Sequence, residues 1–220
     1  MIEQKTGIIY QYRKPKTQQV KGAIFMLHGY GSHELDLFSL ADELQDDRHI
    51  FSLRAPYKLP WGGYCWYNLE FSATGHVSGQ NIEEAVTSRD LIKSFIESTS
   101  VNYSIPEGKN ILMGFSQGAI LGYSVALTYP EIVDALIAMS GYINNLILPE
   151  NILYDRLRHL DFLITHGTED PVIPYEWAKK SAEFLEKNKL NHRFFGYQAG
   201  HGIDAQTLTE IKKFISKKTF

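Results

Sequence analysis

Short apolar runs alternate along the chain with stretches whose apolar residues return every three or four positions. Residues 23–27, 50–53, 111–113, 135–139 and 162–165 supply the runs, residues 193–197 read as the last strand, and residues 7–12 fit an edge strand ahead of them all. A continuous apolar run fits a strand buried on both faces, as in a parallel sheet. Helical spacing links Leu35, Leu37, Phe38, Leu40, Ala41 and Leu44. It returns in Ile82, Ala85, Val86, Leu91, Ile92, Phe95 and Ile96, within a helix expected from Asn81 to about Ser98. Ala119, Leu121, Val125, Ala126 and Leu127 define another, and Leu208, Ile211, Phe214 and Ile215 a closing one. Over residues 176–187 the apolar side holds Trp177, Ala178, Ala182, Phe184 and Leu185. Residues 57–80 read as one long loop rich in glycine and aromatics, and 142–158 as irregular or partly helical. Alternation of strands and helices predicts an α/β fold, a mostly parallel sheet with helices on both faces, in one domain over residues 1–220. Such sheets bind ligands off the carboxyl ends of their strands.

Polar residues worth chemical attention sit just after the strands. Gly114, Ser116 and Gly118 fit Gly-x-Ser-x-Gly between a strand and a helix, the context that gives this motif meaning. The turn lifts the Ser116 hydroxyl to the sheet rim, at a helix N-terminus that favours negative charge. A tight β-α turn without chemistry would share the same glycines. A serine needs a base, an acid to orient that base, and donors for an oxyanion. Asp170, before Pro171, and His201, between Gly200 and Gly202, end later strands in the order Ser…Asp…His that accompanies this elbow. Taken singly, each also fits ordinary turn chemistry. His166 competes with His201 but precedes Asp170 by four residues on one turn, and Ser140 lacks the elbow glycine. His28, His49, His76, His159 and His192 read as structural or surface residues. The oxyanion donors expected are the N–H of Gln117 and, in the turn from His28 to Gly31, the N–H of Tyr30. Trp66, Tyr67 and Trp61 are candidates for an acyl-side substrate wall; the alternative is that they plug the core beneath the loop.

Composition narrows the partners. Lys+Arg 22 against Asp+Glu 25 gives a net charge of −3, with no basic footprint for nucleic acid or an anionic membrane. No apolar run approaches the ~20 residues that span a bilayer, so stable membrane insertion is not expected. One cysteine, Cys65, permits no internal disulfide. The first residues lack the apolar stretch of a signal peptide, and the expected location is cytoplasmic.

Several motifs together carry a resemblance: residues 27–31, Asp36 and Leu37, residues 54–56, residues 62–69, the elbow at 114–118, residues 166–171 and residues 200–202. On these the chain resembles α/β-hydrolases of the phospholipase/carboxylesterase family, the group that includes acyl-protein thioesterases, from about Gly22 to Ile215. The resemblance implies a cofactor-free serine esterase without a large cap domain, often a homodimer; no metal is expected, and the expected substrate is a small-molecule ester. It puts the triad on Ser116, Asp170 and His201 and the oxyanion donors on Tyr30 and Gln117. Asn68 departs from the family's usual Trp-Phe-Asp, which removes a carboxylate beside Trp66. Alternative readings are a thioesterase for acylated protein or acyl-CoA, a peptidase, and a non-catalytic binding protein of hydrolase fold. A metal site at His28, His33 and Asp36 is the remaining one.

Overall fold

The computed structural model describes residues 1–75, 77–106 and 108–218; His76 lies outside them. In chain order the elements are β1 (Tyr10–Arg13), β2 (Ala23–Leu27), α1 (Leu35–Phe38), β3 (His49–Leu53), β4 (Tyr57–Lys58), β5 (Tyr64–Cys65), β6 (Leu69–Phe71) and β7 (Val77–Gln80). Then come α2 (Ile82–Asn102), β8 (Asn110–Phe115), α3 (Gln117–Thr128), β9 (Ala135–Met139), β10 (Asp161–Gly167), α4 (Tyr175–Lys187), β11 (Asn191–Tyr197) and α5 (Ala205–Lys217). Seven strands form the main sheet in the order β1-β3-β2-β8-β9-β10-β11. Only β1 runs antiparallel, on the edge against β3; the other pairings are parallel.

Alternate residues of each central strand feed two cores. Phe25, Phe51, Leu112, Leu136 and Phe162 pack with α2, α3 and α4 on one face. Ile24, Ile50, Met113, Ile137 and Leu163 pack with residues 37–44 and α5 on the other. That is why β2, β3 and β9 are buried at every position. Side-chain caps start two of the helices: Asn81 accepts the Glu84 N–H and Asp204 the Thr207 N–H.

The structure departs from the sequence pattern in two places. Residues 35–44 do not form one helix. They make the single turn α1 and a 3₁₀ turn at Ala41–Glu43. Ser39 bonds the Asp36 carbonyl through its hydroxyl, and Leu40 N–H reaches Leu37 O, three residues back; such bonding competes with the α-helical ladder. Residues 57–80 are also no single loop: β4 pairs with β5, and β6 with β7. Gly62 and Gly63 close the first hairpin with φ of 103° and 73°, a conformation cheap only for glycine.

Candidate active site

Ser116 joins β8 to α3 with φ 53° and ψ −118°, a backbone state that costs ~1–3 kcal/mol away from glycine. Neighbouring bonds hold it there. Its N–H donates to Met139 O at 2.9 Å, and its carbonyl accepts from Ala119 and Ile120 at 2.9 and 3.0 Å. The flanking glycines are steric necessities. A Cβ on Gly114 would stand 2.4 Å from Gly118 O, and one on Gly118 would stand 2.1 Å from Leu27 O.

Two later turns bring polar side chains to this hydroxyl. His201 Nε2 lies 2.9 Å from Ser116 Oγ, and its Nδ1 lies 2.7 Å from Asp170 Oδ2. A carboxylate accepts, so Nδ1 carries the proton and Nε2 faces the hydroxyl with a lone pair. The Asp170 side chain is fully buried, and its Oδ1 accepts the N–H groups of Val172 and Ile173 at 2.8 and 2.9 Å. The two turns are joined along the backbone as well: Thr168 N–H donates to Tyr197 O and Glu169 N–H to Ala199 O. Sequence neighbours alone could not hold three groups so far apart in the chain. Parallel strands that end on one rim can.

The turn after β2 lies against the elbow, since a Cβ on Gly29 would meet Ser116 Cβ at 3.3 Å. Gly31 N–H is committed to Tyr64 O and Ser32 N–H to Gly29 O. The N–H groups of Tyr30 and Gln117 find no acceptor among the described residues, which leaves them available to an oxyanion. His28 braces this turn: Nδ1–H donates to Gly29 O at 2.7 Å, and Nε2 accepts the Ala55 N–H at 3.1 Å. Burial pushes its pKa down to about 4, so the ring is neutral and both nitrogens are occupied. Below it, Arg54 pairs with the buried carboxylate of Glu34 and lies over the Tyr64 ring. The Arg54 guanidinium holds Glu34 below the usual carboxylate range.

The sequence reading missed the side chain of Gln117. Its Oε1 accepts the Trp66 N–H at 2.9 Å and its Nε2 donates to Tyr67 O at 2.7 Å, stapling the elbow to the 57–80 segment. A glutamine inside the elbow, with an aromatic segment waiting for a partner, was the available signal. The substrate-wall assignment needs correction at Trp66 and Tyr67. Trp66 and Tyr67 have 0% and 1% exposure, and Trp66 Nε1–H donates to His28 O. Their rings fill the core and offer a ligand no open face. Trp61, by contrast, is 70% exposed at the tip of the β4–β5 hairpin. Phe71, whose ring meets Tyr30, and Trp177, whose ring meets Tyr142, are exposed aromatics as well. Cys65 is buried, which pushes its thiol up to about 11, the opposite of an activated nucleophile.

Known proteins carry the same frame. A profile of the phospholipase/carboxylesterase family matches residues 12–219. Acyl-protein thioesterase 1 homolog 1 of Dictyostelium discoideum is 25% identical, over 97% of this chain and 97% of that protein. Acyl-protein thioesterase 1 of Kluyveromyces lactis is 25% identical over 92% of this chain and 94% of its own. In three dimensions, esterase PE8 superposes with a TM-score of 0.79 at 23% identity, covering 96% of this chain and 98% of its own. The Bacillus cereus carboxylesterase gives 0.78 at 17%, covering 96% and 94%. At such identities these two structures speak to the fold alone, and the fold is the α/β-hydrolase one. The profile spans nearly the whole sequence, and the chain belongs to the phospholipase/carboxylesterase family.

Proposed function

We propose that Ser116 is the nucleophile of a carboxylic ester hydrolase, with His201 as its base and Asp170 as the group that orients and stabilises the imidazole. Family membership makes the chain a hydrolase of esters or thioesters. The residue assignment rests on one observation: an unbroken hydrogen-bond chain from Ser116 Oγ through His201 to Asp170.

His201 Nε2 takes the hydroxyl proton as Oγ attacks the ester carbonyl. The N–H groups of Tyr30 and Gln117 receive the oxyanion. Losing one such donor typically costs ~10²–10³ in turnover. As the C–O bond breaks, His201 returns the proton to the departing alcohol. Water then attacks the acyl-enzyme by the same route and releases the acid. Asp170 keeps Nδ1 protonated, so the lone pair stays on the nitrogen that meets the serine.

Turnover of a short-chain p-nitrophenyl ester tests this. Ser116→Ala is expected to fold as the wild type does and to lose both hydrolysis and labelling by a fluorophosphonate. Retained turnover would overturn the assignment. A thioester is a second substrate class for the same groups, favoured by the thioesterase relatives. A panel of esters and thioesters of graded chain length separates the two by kcat/KM.

A further inference from the structure

His166, the penultimate residue of β10, is fully buried and unused by the chemistry above. Its Nε2 lies 2.9 Å from Ile173 O and 3.3 Å from Asp170 Oδ2. Both partners only accept, so the proton is on Nε2. Nδ1 then carries a bare lone pair, and it is buried without a hydrogen-bond partner among the described residues. A proton added there would have no acceptor, and burial lowers the pKa of this ring. The titratable groups facing it are Asp170, His201 and, from α4, Tyr175, whose ring centroid is 6.0 Å away.

The placement gives His166 two grips on one turn. Val172 and Ile173 close on Asp170 Oδ1 with their N–H groups, while His166 holds the Ile173 carbonyl at the far end of that turn. The same Nε2–H stands beside Oδ2, the oxygen that receives His201. Four N–H groups therefore surround the carboxylate, and only one of them belongs to His201.

We propose that His166 is a positioning residue for Asp170: its Nε2–H, donated to Ile173 O with Asp170 Oδ2 3.3 Å from the same nitrogen, fixes the turn that carries the carboxylate where His201 meets it. The inference rests on Asp170 and His201 acting as proposed above. The positive end of that N–H dipole, 3.3 Å from Oδ2 at the nitrogen, offsets part of the charge that would otherwise stabilise the His201 imidazolium. Without it the imidazolium forms more readily, and the acid limb of the kcat/KM profile moves to higher pH.

The test compares His166→Leu, which removes the donor, with His166→Gln, whose amide N–H can reach the Nε2 position. Functional sites are counted by fluorophosphonate labelling, so unfolded protein does not enter kcat. His166→Leu is expected to lose about tenfold in kcat with KM little changed, and to shift the acid limb upward. His166→Gln should recover most of both. An unmoved acid limb in the leucine variant, or a glutamine variant no better than leucine, overturns the proposal. Nitrogen-15 NMR of the wild-type imidazoles provides a reading that needs no variant. His166 should remain neutral and protonated on Nε2 from pH 8 to 6, and a charged ring or a proton on Nδ1 would sink the idea. Failure of the triad itself would show differently, as turnover surviving in Ser116→Ala.

Discussion

The Tyr197 hydroxyl donates to the Gly202 carbonyl at 2.6 Å, tying the last residue of β11 to the residue that follows His201. The same tyrosine's backbone carbonyl takes the Thr168 N–H at 2.8 Å, on the way to Asp170. One buried residue thus anchors the turn of His201 by its side chain and the turn of Asp170 by its main chain. Burial pushes the phenol up from its ordinary value, so it stays a donor throughout the working range. Tyr197→Phe removes that donor and keeps the ring. Stability should fall by about 1 kcal/mol, and kcat should fall several-fold with KM unchanged. Urea denaturation and steady-state kinetics check it. A variant with wild-type kcat would show that the hydroxyl does not govern His201.

Gln117 separates a main-chain role from a side-chain one. Its N–H is the proposed oxyanion donor, and its amide group clips Trp66 and Tyr67. Gln117→Ala keeps the first and deletes the second, leaving a buried N–H and a buried carbonyl unpaired. The expected loss is about 2–4 kcal/mol of stability, with a fall in KM-independent turnover smaller than any loss of an oxyanion donor. Denaturation midpoints set beside kcat per labelled site decide between them. A collapse of kcat at unchanged stability would mean that the amide group itself meets the substrate.

How much of this the sequence revealed follows from where each signal lives. Residues 23–27 and 135–139 announce themselves because strands buried on both faces are apolar throughout, and their bounds match β2 and β9. Ser116, Asp170 and His201 drew attention because each follows a strand, and parallel pairing puts strand ends on one rim, although β11 before His201 is a half-exposed edge strand. The hairpins of residues 57–80 were not, since strands of two to four residues are too short to show a period. Trp66 misled for a related reason. An aromatic in an irregular segment looks available, and only packing tells whether the chain folds over it. His166 beside Asp170 was visible as a neighbour in sequence, but its ring direction depends on the Ile173 carbonyl, which no spacing reveals.

His28 makes the fold itself pH-dependent. Its ring works only when neutral, with one nitrogen donating to Gly29 O and the other accepting from Ala55. Protonation would turn Nε2 from acceptor to donor, facing an N–H. Burial has lowered its pKa from 6.5 to about 4. An unfolded chain binds this proton near pH 6.5, whereas the native one resists it down to about 4. Between those values the unfolded state holds more protons, so stability falls as pH falls. The contribution is whole above pH 6.5 and gone near pH 4, a loss on the order of 3 kcal/mol. His49 and His166, also lowered by burial, act in the same direction. Free energies of unfolding measured by urea from pH 7.5 to 4 should show this descent, and His28→Asn, which cannot titrate, should show a shallower one from a lower start. Equal slopes in the two proteins would mean that His28 is already charged in the native state, and the brace on the Tyr30 turn would have to be sought elsewhere.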